Sequence, residues 1–338
     1  MSTPPEIPLP HVDVRDLLGC TRVVAIPLRV GFRSITVREA LLVRGPAGWG
    51  EFAPFPEYSD AEATSWLRAA LEAAWQVFPA PLRERIPVNA TLPAVSPDQI
   101  EGILGRYGSV GTVKIKVAEK GQTSTQDYAR VAEVRRLLPS AGIRVDANGA
   151  WTQQQALETL TRLAGFGLEY AEQPVADIAG LRAVRLELRR RGVPVLIAAD
   201  ESVRRESDPL RVAREDAADL LVVKVAPLGG VRRALDIVAQ AGLPAVVSSA
   251  LDTSVGIRAG LALAAALPEL PYACGLATVT LMDGDVIEES LVPHDGALGL
   301  RPVEVSPRLL DTYAASPERT RWWHERLARV HARLMRAG

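Results

Sequence analysis

The sequence predicts an α/β protein in which a closed β/α barrel is joined to a smaller α+β domain, and three observations support this fold class. From residue 88 onward, short apolar segments alternate with helical segments. Polar residues that could bind a metal or move a proton end those segments at intervals of 24 to 30 residues, about one strand, one helix and two loops. The length of 338 residues suffices for one barrel of about 250 residues and a smaller domain.

The first ninety residues lack this alternation and predict the smaller domain. Segments within 21–53 have the pattern of antiparallel strands separated by Gly and Pro turns, and 60–78 has the pattern of an amphipathic helix. A second helix near 317–336 carries an apolar stripe that we expect to pack on the first domain. The predicted boundaries are, in order, 1–87, 88–302 and 303–338.

Eight apolar segments after residue 87 have the length and composition of barrel strands. In chain order they are VNATLPA, TVKIKVA, IRVDANG, LEYAEQP, VLIAADE, LLVVKVA, AVVSSA and YACGLAT. The intervening segments are helical in pattern, and the one at 123–138 opens with Ser and Thr residues that favour a helix cap. A closed barrel brings consecutive strand ends together at its C-terminal rim, where such barrels carry their chemistry.

Composition points to a small-molecule partner. The chain has 39 Lys and Arg residues against 40 Asp and Glu residues, so its net charge of −1 provides no field to hold nucleic acid or an anionic membrane. The longest aliphatic run, at 261–267, is too short to span a bilayer, and the N-terminus lacks the pattern of a signal peptide. Cys20 and Cys274 form no metal or redox motif, so we predict free thiols and a cytoplasmic protein. The oligomeric state stays open, with a monomer preferred.

Lys114 and Lys116 share one face of a strand. In the run 113–117 a period of two places three apolar side chains on one face and both lysines on the other. In a closed barrel the polar face looks into the lumen. The alternative is an edge strand with solvated lysines, and the regular β/α alternation disfavours it because a closed barrel has no edge.

Asp146, Glu172 and Asp200 each stand where an apolar strand gives way to a loop. Singly, each could be a turn or helix-cap residue. Three carboxylates on successive strands, with all four histidines elsewhere, favour Mg²⁺ with open positions for substrate and water. Because Lys116 lies one strand earlier and Lys224 one strand later, the barrel sets them on opposite sides of that metal.

These residue types together predict proton abstraction next to a carboxylate. A lysine acts as a base near neutral pH when its ammonium form is disfavoured, for instance by a nearby divalent cation and a second lysine. The carbon acid is weak, and the resulting enediolate needs the charge of the metal. The sequence therefore predicts a metal-dependent enzyme that forms an enolate.

The motifs KIK, DAN, EQP and DES and the following strand lysine resemble the signature of the enolase superfamily, in its muconate lactonizing enzyme group. The resemblance covers essentially the whole chain. It implies a modified (β/α)7β TIM-type barrel with an α+β capping domain built from the N-terminal region and the C-terminal segment. It also implies a Mg²⁺ cofactor, with Mn²⁺ as a substitute, and a small-molecule carboxylate substrate.

Within this group, the segments FRSITVREALL, GWGEF, PVNATLP and SSALDTSVG are similar to members that dehydrate 2-succinyl-6-hydroxy-2,4-cyclohexadiene-1-carboxylate to an aromatic product in menaquinone biosynthesis. Overall similarity carries this step more than any one motif. It implies Lys116 as the base and acid, Lys224 as a fixed cation and Lys114 as added positive charge. Asn148 would orient a metal ligand. The implied substrate contacts are Ser249, Gly229, Gly230 and, in the capping loop, Arg33.

Three alternatives stay open. Gly229 and Gly230 could form a simple strand-to-helix turn without a role in binding. Lys116 and Lys224 also suit a racemase or epimerase of N-acylamino acids or dipeptides, and dipeptide epimerases carry an Asp-x-Asp similar to the one at 283–285 here. A non-catalytic protein on a barrel scaffold is the third alternative, and the complete set of lysines and carboxylates opposes it.

Overall fold

A three-stranded antiparallel sheet and a seven-stranded parallel sheet organise the chain. A computed structural model describes residues 12–32, 35–204 and 208–337. Arg33, which the sequence places in a capping loop, lies outside the described residues.

The antiparallel sheet and its helices form the N-terminal region. The elements are α1 (Val14–Gly19), β1 (Thr21–Phe32), β2 (Ile35–Gly45), β3 (Gly48–Phe52) and α2 (Ala63–Trp75). Helix α2 packs closely on β3 because Gly50 has no side chain, and a Cβ atom there would overlap the Ala70 carbonyl oxygen. The strands and the long helix predicted for this region are confirmed.

Parallel strands form the barrel wall in the same spatial order as in the chain. They are β5 (Ala90–Leu92), β6 (Thr112–Lys116), β7 (Gly142–Asp146), β8 (Leu168–Glu172), β9 (Leu196–Ala199), β10 (Leu220–Val223) and β11 (Ala245–Val247). The eighth predicted strand is reduced to Cys274 and Gly275, which form bridges to Val88 and Ser248 and so close the ring. A two-stranded ribbon of β4 (Arg85–Pro87) and β12 (Ala297–Gly299) lies outside this wall.

Helices separate the barrel strands and follow the barrel. They are α3 (Ile100–Leu104), α4 (Ser124–Leu137), α5 (Gln153–Leu163), α6 (Ile178–Arg190), α7 (Asp208–Arg214), α8 (Val231–Ala241), α9 (Ser254–Ala266), α10 (Pro307–Thr312) and α11 (Pro317–Ala337). Thr123 and Thr152 begin α4 and α5 with capping boxes, which explains why these starts are readable in the sequence. The predicted β/α alternation is confirmed.

The C-terminal helix α11 packs on α2 of the N-terminal region. Trp323 and Leu327 are fully buried in a core that they share with Trp66 and Leu67 of α2. The boundaries at 87/88 and 302/303 stay a prediction. Within the described ranges, none of the helices is long and apolar enough to cross a membrane.

Candidate active site

The polar side chains predicted at the barrel rim meet at the C-terminal ends of β6 to β10. Lys116, Asp146 and Glu172 end three successive strands. In the sheet register Lys116 pairs with Asp146, and Asp146 pairs with Glu172 on the next strand. Asp200 directly follows β9, and Lys224 directly follows β10. Parallel strands with matched ends therefore place these five side chains around one point of the rim.

Ammonium groups lie against the carboxylates. The Lys116 Nζ donates to Asp146 Oδ2 at 2.5 Å. The Lys114 Nζ donates to Glu172 Oε1 at 2.7 Å and to Asp146 Oδ2 at 3.2 Å. Lys224 on the far side forms an ion pair with Asp200. The two lysines that flank the three carboxylates in the sequence thus also flank them in space.

Burial and charge act against each other at Lys114 and Glu172. Burial lowers the pKa of Lys114, but the Glu172 and Asp146 carboxylates raise it by more, so the net shift is upward and the charged form is favoured. Burial, followed by repulsion from Asp146, raises the pKa of Glu172 to about 8. The carboxylates are therefore crowded in a medium of low dielectric, where added positive charge is favourable.

The donor set fits a divalent cation. In the described part of the chain, no three acidic, His or Cys side chains converge into a ready ligand set. The ammonium groups of Lys114 and Lys116 lie among the carboxylates instead. However, Glu172 Oε2 is buried and has no hydrogen-bond partner, which is costly for a carboxylate oxygen. Carboxylates from three successive strands supply the hard oxygen ligands that Mg²⁺ and similar ions prefer.

Asn148 contacts both the lysine and a carboxylate of the site. Its Oδ1 accepts from Lys116 Nζ at 2.7 Å, and its backbone N–H donates to Asp146 Oδ1 at 3.1 Å. Its Nδ2 donates to Glu201 Oε1 at 3.1 Å. The residue that the sequence suggests as a ligand-orienting group therefore lies where it can orient Asp146 and aim Lys116.

Gln173 is a residue of the site that sequence reasoning missed. It is fully buried, and its Oε1 accepts from the backbone N–H groups of Asp200 and Ser202 at 3.0 and 3.1 Å. Its Nε2 donates to the Val175 carbonyl and to Ser202 Oγ, both at 2.8 Å. Gln173 thus ties the end of β8 to the end of β9. Gln173 enters the sequence prediction only as the middle residue of the EQP motif, without an assigned role.

A cavity opens above the lysines. Its lining residues are Phe55, Thr91, Lys114, Lys116, Asp146, Asp200, Lys224, Ser248, Ser249, Ala250, Leu251, Gly275 and Thr278. Ser249, a predicted substrate contact, lies in this lining, and its hydroxyl contacts Thr278 Oγ1 at 2.6 Å and the Gly275 carbonyl at 3.2 Å. Phe55 and Leu251 contribute two apolar walls to the lining of the cavity.

Gly229 and Gly230, the predicted substrate contacts, do not belong to the cavity lining, and their role in binding stays a prediction. Their backbone N–H groups donate to the carbonyls of Ala226 and Val225 within a turn, because that turn must reverse the chain before α8. Glu72 of α2 occupies the space beside them. Its carboxylate accepts from the first backbone N–H groups of α8. These contacts are what the simple-turn alternative expects.

The two carboxylates of the Asp-x-Asp at 283–285 also have their partners outside the cavity. Asp285 is buried and accepts from the backbone N–H and the hydroxyl of Ser254 at the start of α9. Asp283 forms an ion pair with Arg29 at 3.3 Å, and both side chains are largely exposed. Neither carboxylate belongs to the cavity lining.

Comparison with known proteins agrees with this geometry. Residues 23–74 match the enolase N-terminal domain-like family, and residues 98–302 match the enolase C-terminal domain-like family. Among solved structures, a muconate lactonizing enzyme from Pseudomonas fluorescens complexed with muconolactone has a TM-score of 0.74 at 21% identity, covering 87% of this chain and 98% of that one. A 2-chloromuconate cycloisomerase from Rhodococcus opacus has a TM-score of 0.72 at 22% identity, covering 88% and 98%. The fold and the rim site therefore define a member of the enolase superfamily.

Curated relatives narrow the family further. The o-succinylbenzoate synthase of Mycolicibacterium smegmatis is 52% identical over 96% of this chain and 98% of its own length. That of Thermobifida fusca is 52% identical over 92% and 96%. The chain belongs to the o-succinylbenzoate synthase family. As a member it is a metal-dependent lyase, its superfamily implies a divalent metal, and its family implies a small-molecule substrate.

Proposed function

We propose that this chain catalyses the syn dehydration of 2-succinyl-6-hydroxy-2,4-cyclohexadiene-1-carboxylate to 2-succinylbenzoate and water, a step of menaquinone biosynthesis. The observation that carries the proposal is the placement of Lys116 and Lys224 on either side of three strand-end carboxylates, beneath a cavity with an apolar side. Relatives about half identical over nearly the full chain support the choice of substrate.

Lys116 is the proposed base. Its Nζ lines the cavity, where it removes the proton on the carbon that bears the ring carboxylate, and the electron pair of that C–H bond forms the enediolate. The enediolate then expels the hydroxyl group of the neighbouring ring carbon, and the Lys116 ammonium returns the proton to it, so that water leaves. One residue serves both steps because the proton and the hydroxyl leave from the same face of the ring.

Asp146, Glu172 and Asp200 would hold the metal, which we propose to be Mg²⁺ with Mn²⁺ as a substitute. A bound Mg²⁺ supplies positive charge against the carboxylate on which negative charge develops. Glu172 supports this assignment because its Oε2 is buried without a partner.

The other cationic and polar residues hold the substrate. Lys224 would be a fixed cation beside the intermediate, and Lys114 would add positive charge next to Glu172. Ser249, whose hydroxyl reaches the cavity lining, would contact the succinyl end. The cytoplasmic location and the preference for a monomer stay predictions.

A racemase or epimerase of N-acylamino acids is the second candidate, because Lys116 and Lys224 also stand as two opposed bases. Incubation of the protein with the cyclohexadiene substrate, and separately with N-succinylamino acids in D₂O, distinguishes the two. We expect the aromatic product in the first reaction, seen as new aromatic signals in the proton NMR spectrum, and no α-deuterium incorporation, measured in the same way, in the second. Deuterium incorporation without dehydration would overturn the proposal in favour of the racemase.

A further inference from the structure

Arg38 on strand β2 contacts both apolar walls of the cavity, although it does not line the cavity itself. Its Nε donates to the Leu251 carbonyl at 3.1 Å, and its Nη2 donates to the Ala53 carbonyl at 2.5 Å. Its guanidinium carbon lies 4.5 Å from the centre of the Phe55 ring. Phe55 belongs to the N-terminal region and Leu251 to the barrel, so one side chain joins the two walls.

The backbone at Leu251 needs a contact that holds its conformation. Leu251 has φ of +60°, a left-handed conformation that a leucine rarely adopts. Strained backbone of this kind persists only where the surroundings determine it. Besides the bond from Arg38, the Asp252 carboxylate accepts from the Ala250 N–H at 3.2 Å and tightens the same turn.

Two buried carboxylates act electrostatically on Arg38. Burial lowers the pKa of Arg38, while Asp252 and Glu51 oppose that shift. Glu51 accepts from Thr253 Oγ1 at 2.6 Å and from the Gly256 N–H at 3.1 Å, at the start of α9. Arg38 is 1% exposed, and the charges of Asp252 and Glu51 favour its charged form.

We propose that Arg38 is a positioning residue that holds Phe55 and Leu251 at the separation that fits the ring of the substrate. It thereby sets substrate affinity without touching the reacting atoms. This inference rests on the proposed function for the identity of the ring. A planar guanidinium donates to two carbonyls in fixed directions while its face stacks on an aromatic ring, whereas a lysine ammonium has no planar face to stack.

The test compares Arg38→Met and Arg38→Lys with the control Arg185→Met. Arg185 is 6% exposed and pairs with Asp216 and Asp219, but it lies on α6, outside the barrel wall. For Arg38→Met we expect KM to rise about 10-fold or more, as for lost hydrogen bonds to a charged group, with kcat within about 3-fold of wild type. Arg38→Lys keeps the positive charge near Glu51, so we expect its free energy of unfolding to be closer to that of wild type. Its KM should stay raised as in Arg38→Met. Arg185→Met should lose stability while its KM stays unchanged.

Hydrogen exchange provides a second readout that does not depend on turnover. We expect the amides of 53–58 and 249–253 to exchange at least about 10-fold faster in Arg38→Met, and not in Arg185→Met. An unchanged KM and unchanged exchange in folded Arg38→Met would overturn the inference. If that variant does not fold, the same two measurements on Arg38→Lys decide it. A wild-type protein that does not dehydrate the substrate would overturn the proposed function instead, and the exchange comparison would still decide whether Arg38 holds the two walls.

Discussion

Single side chains set the chemistry of this rim, and Lys116 is the proposed base among them. Its ammonium group lies between Asp146 Oδ2 and Asn148 Oδ1. These two acceptors come from one strand end and the turn after it, so they fix the direction of Nζ toward the cavity. Lys116 acts as a base once this ammonium group has lost a proton, and its two acceptors hold Nζ at the rim of the cavity.

Replacement of Lys116 by alanine tests this role directly. We expect kcat for dehydration to fall by about 10²–10⁴-fold, the usual contribution of a general base. Lys120→Ala is the control, because Lys120 is an exposed lysine on the same connection, and its turnover should equal that of wild type. Near-normal turnover of a folded Lys116→Ala protein, with the fold checked by circular dichroism, would contradict the assignment.

A substitution at Gln173 tests whether this residue holds the proposed metal ligands in place. Because its side chain accepts from the Asp200 N–H, we expect Gln173→Leu to weaken metal affinity by about 10–100-fold, as is typical when a group that orients a ligand is removed. Mn²⁺ titration by calorimetry measures the affinity, and Gln154→Leu, an exposed change on α5, is the control. EDTA should abolish the turnover of both variants. Equal Mn²⁺ affinity in Gln173→Leu and wild type would contradict this role.

At the scale of elements, the helices that follow β10 and β11 begin at carboxylates of the N-terminal region. Glu72 of α2 accepts from the N–H groups that open α8, and Glu51 of β3 accepts from those that open α9. Helix N-termini carry unpaired N–H groups and a partial positive charge, so a carboxylate there stabilises the contact. These two contacts fix the N-terminal region on the barrel beside the strands that bear Lys224 and Ser249.

Gly230 makes the Glu72 contact possible. Its φ is +127°, and a Cβ atom there would overlap Glu72 Oε2. We therefore expect Gly230→Ala to lower the free energy of unfolding by about 1–3 kcal/mol or more, as measured by urea titration. Gly102→Ala should have the opposite sign, with a gain of about 0.5–1 kcal/mol, because Gly102 lies inside α3 with open space around it. An unchanged midpoint for Gly230→Ala would show that the contact is dispensable.

The same elements show what the sequence can and cannot predict. Strands β6 to β11 and the rim residues Lys116, Asp146 and Lys224 follow from local patterns, because alternation and spacing are properties of neighbouring residues. The Gly229-Gly230 pair was ambiguous because Glu72, 159 residues away from Val231 in the chain, decides what its turn contacts. The shortening of the eighth strand to two bridges also depends on closure of the ring and not on local pattern.

For the whole molecule, the two ends of the chain build one unit over the barrel mouth. Trp323 of α11 is fully buried, meets Phe52 of β3 edge to face with centres 5.9 Å apart, and donates its indole N–H to Glu39 at 2.9 Å. Phe55, three residues beyond Phe52, lines the cavity. The packing of the last helix is therefore continuous with the wall of the active site.

Trp323→Ala should consequently destabilise the fold and the site together. We expect the free energy of unfolding to fall by about 3–5 kcal/mol, as for other buried tryptophans replaced by alanine. Urea titration measures this loss, and Val77→Ala is the control, because Val77 is 80% exposed and surface changes stay within about 0.5 kcal/mol. Since Phe55 belongs to the unit that Trp323 supports, dehydration activity should be lost at a urea concentration no higher than the one that unfolds the far-ultraviolet circular dichroism signal. Activity that outlasts this signal, or a loss of stability below about 1 kcal/mol, would show that α11 packs without supporting the cavity.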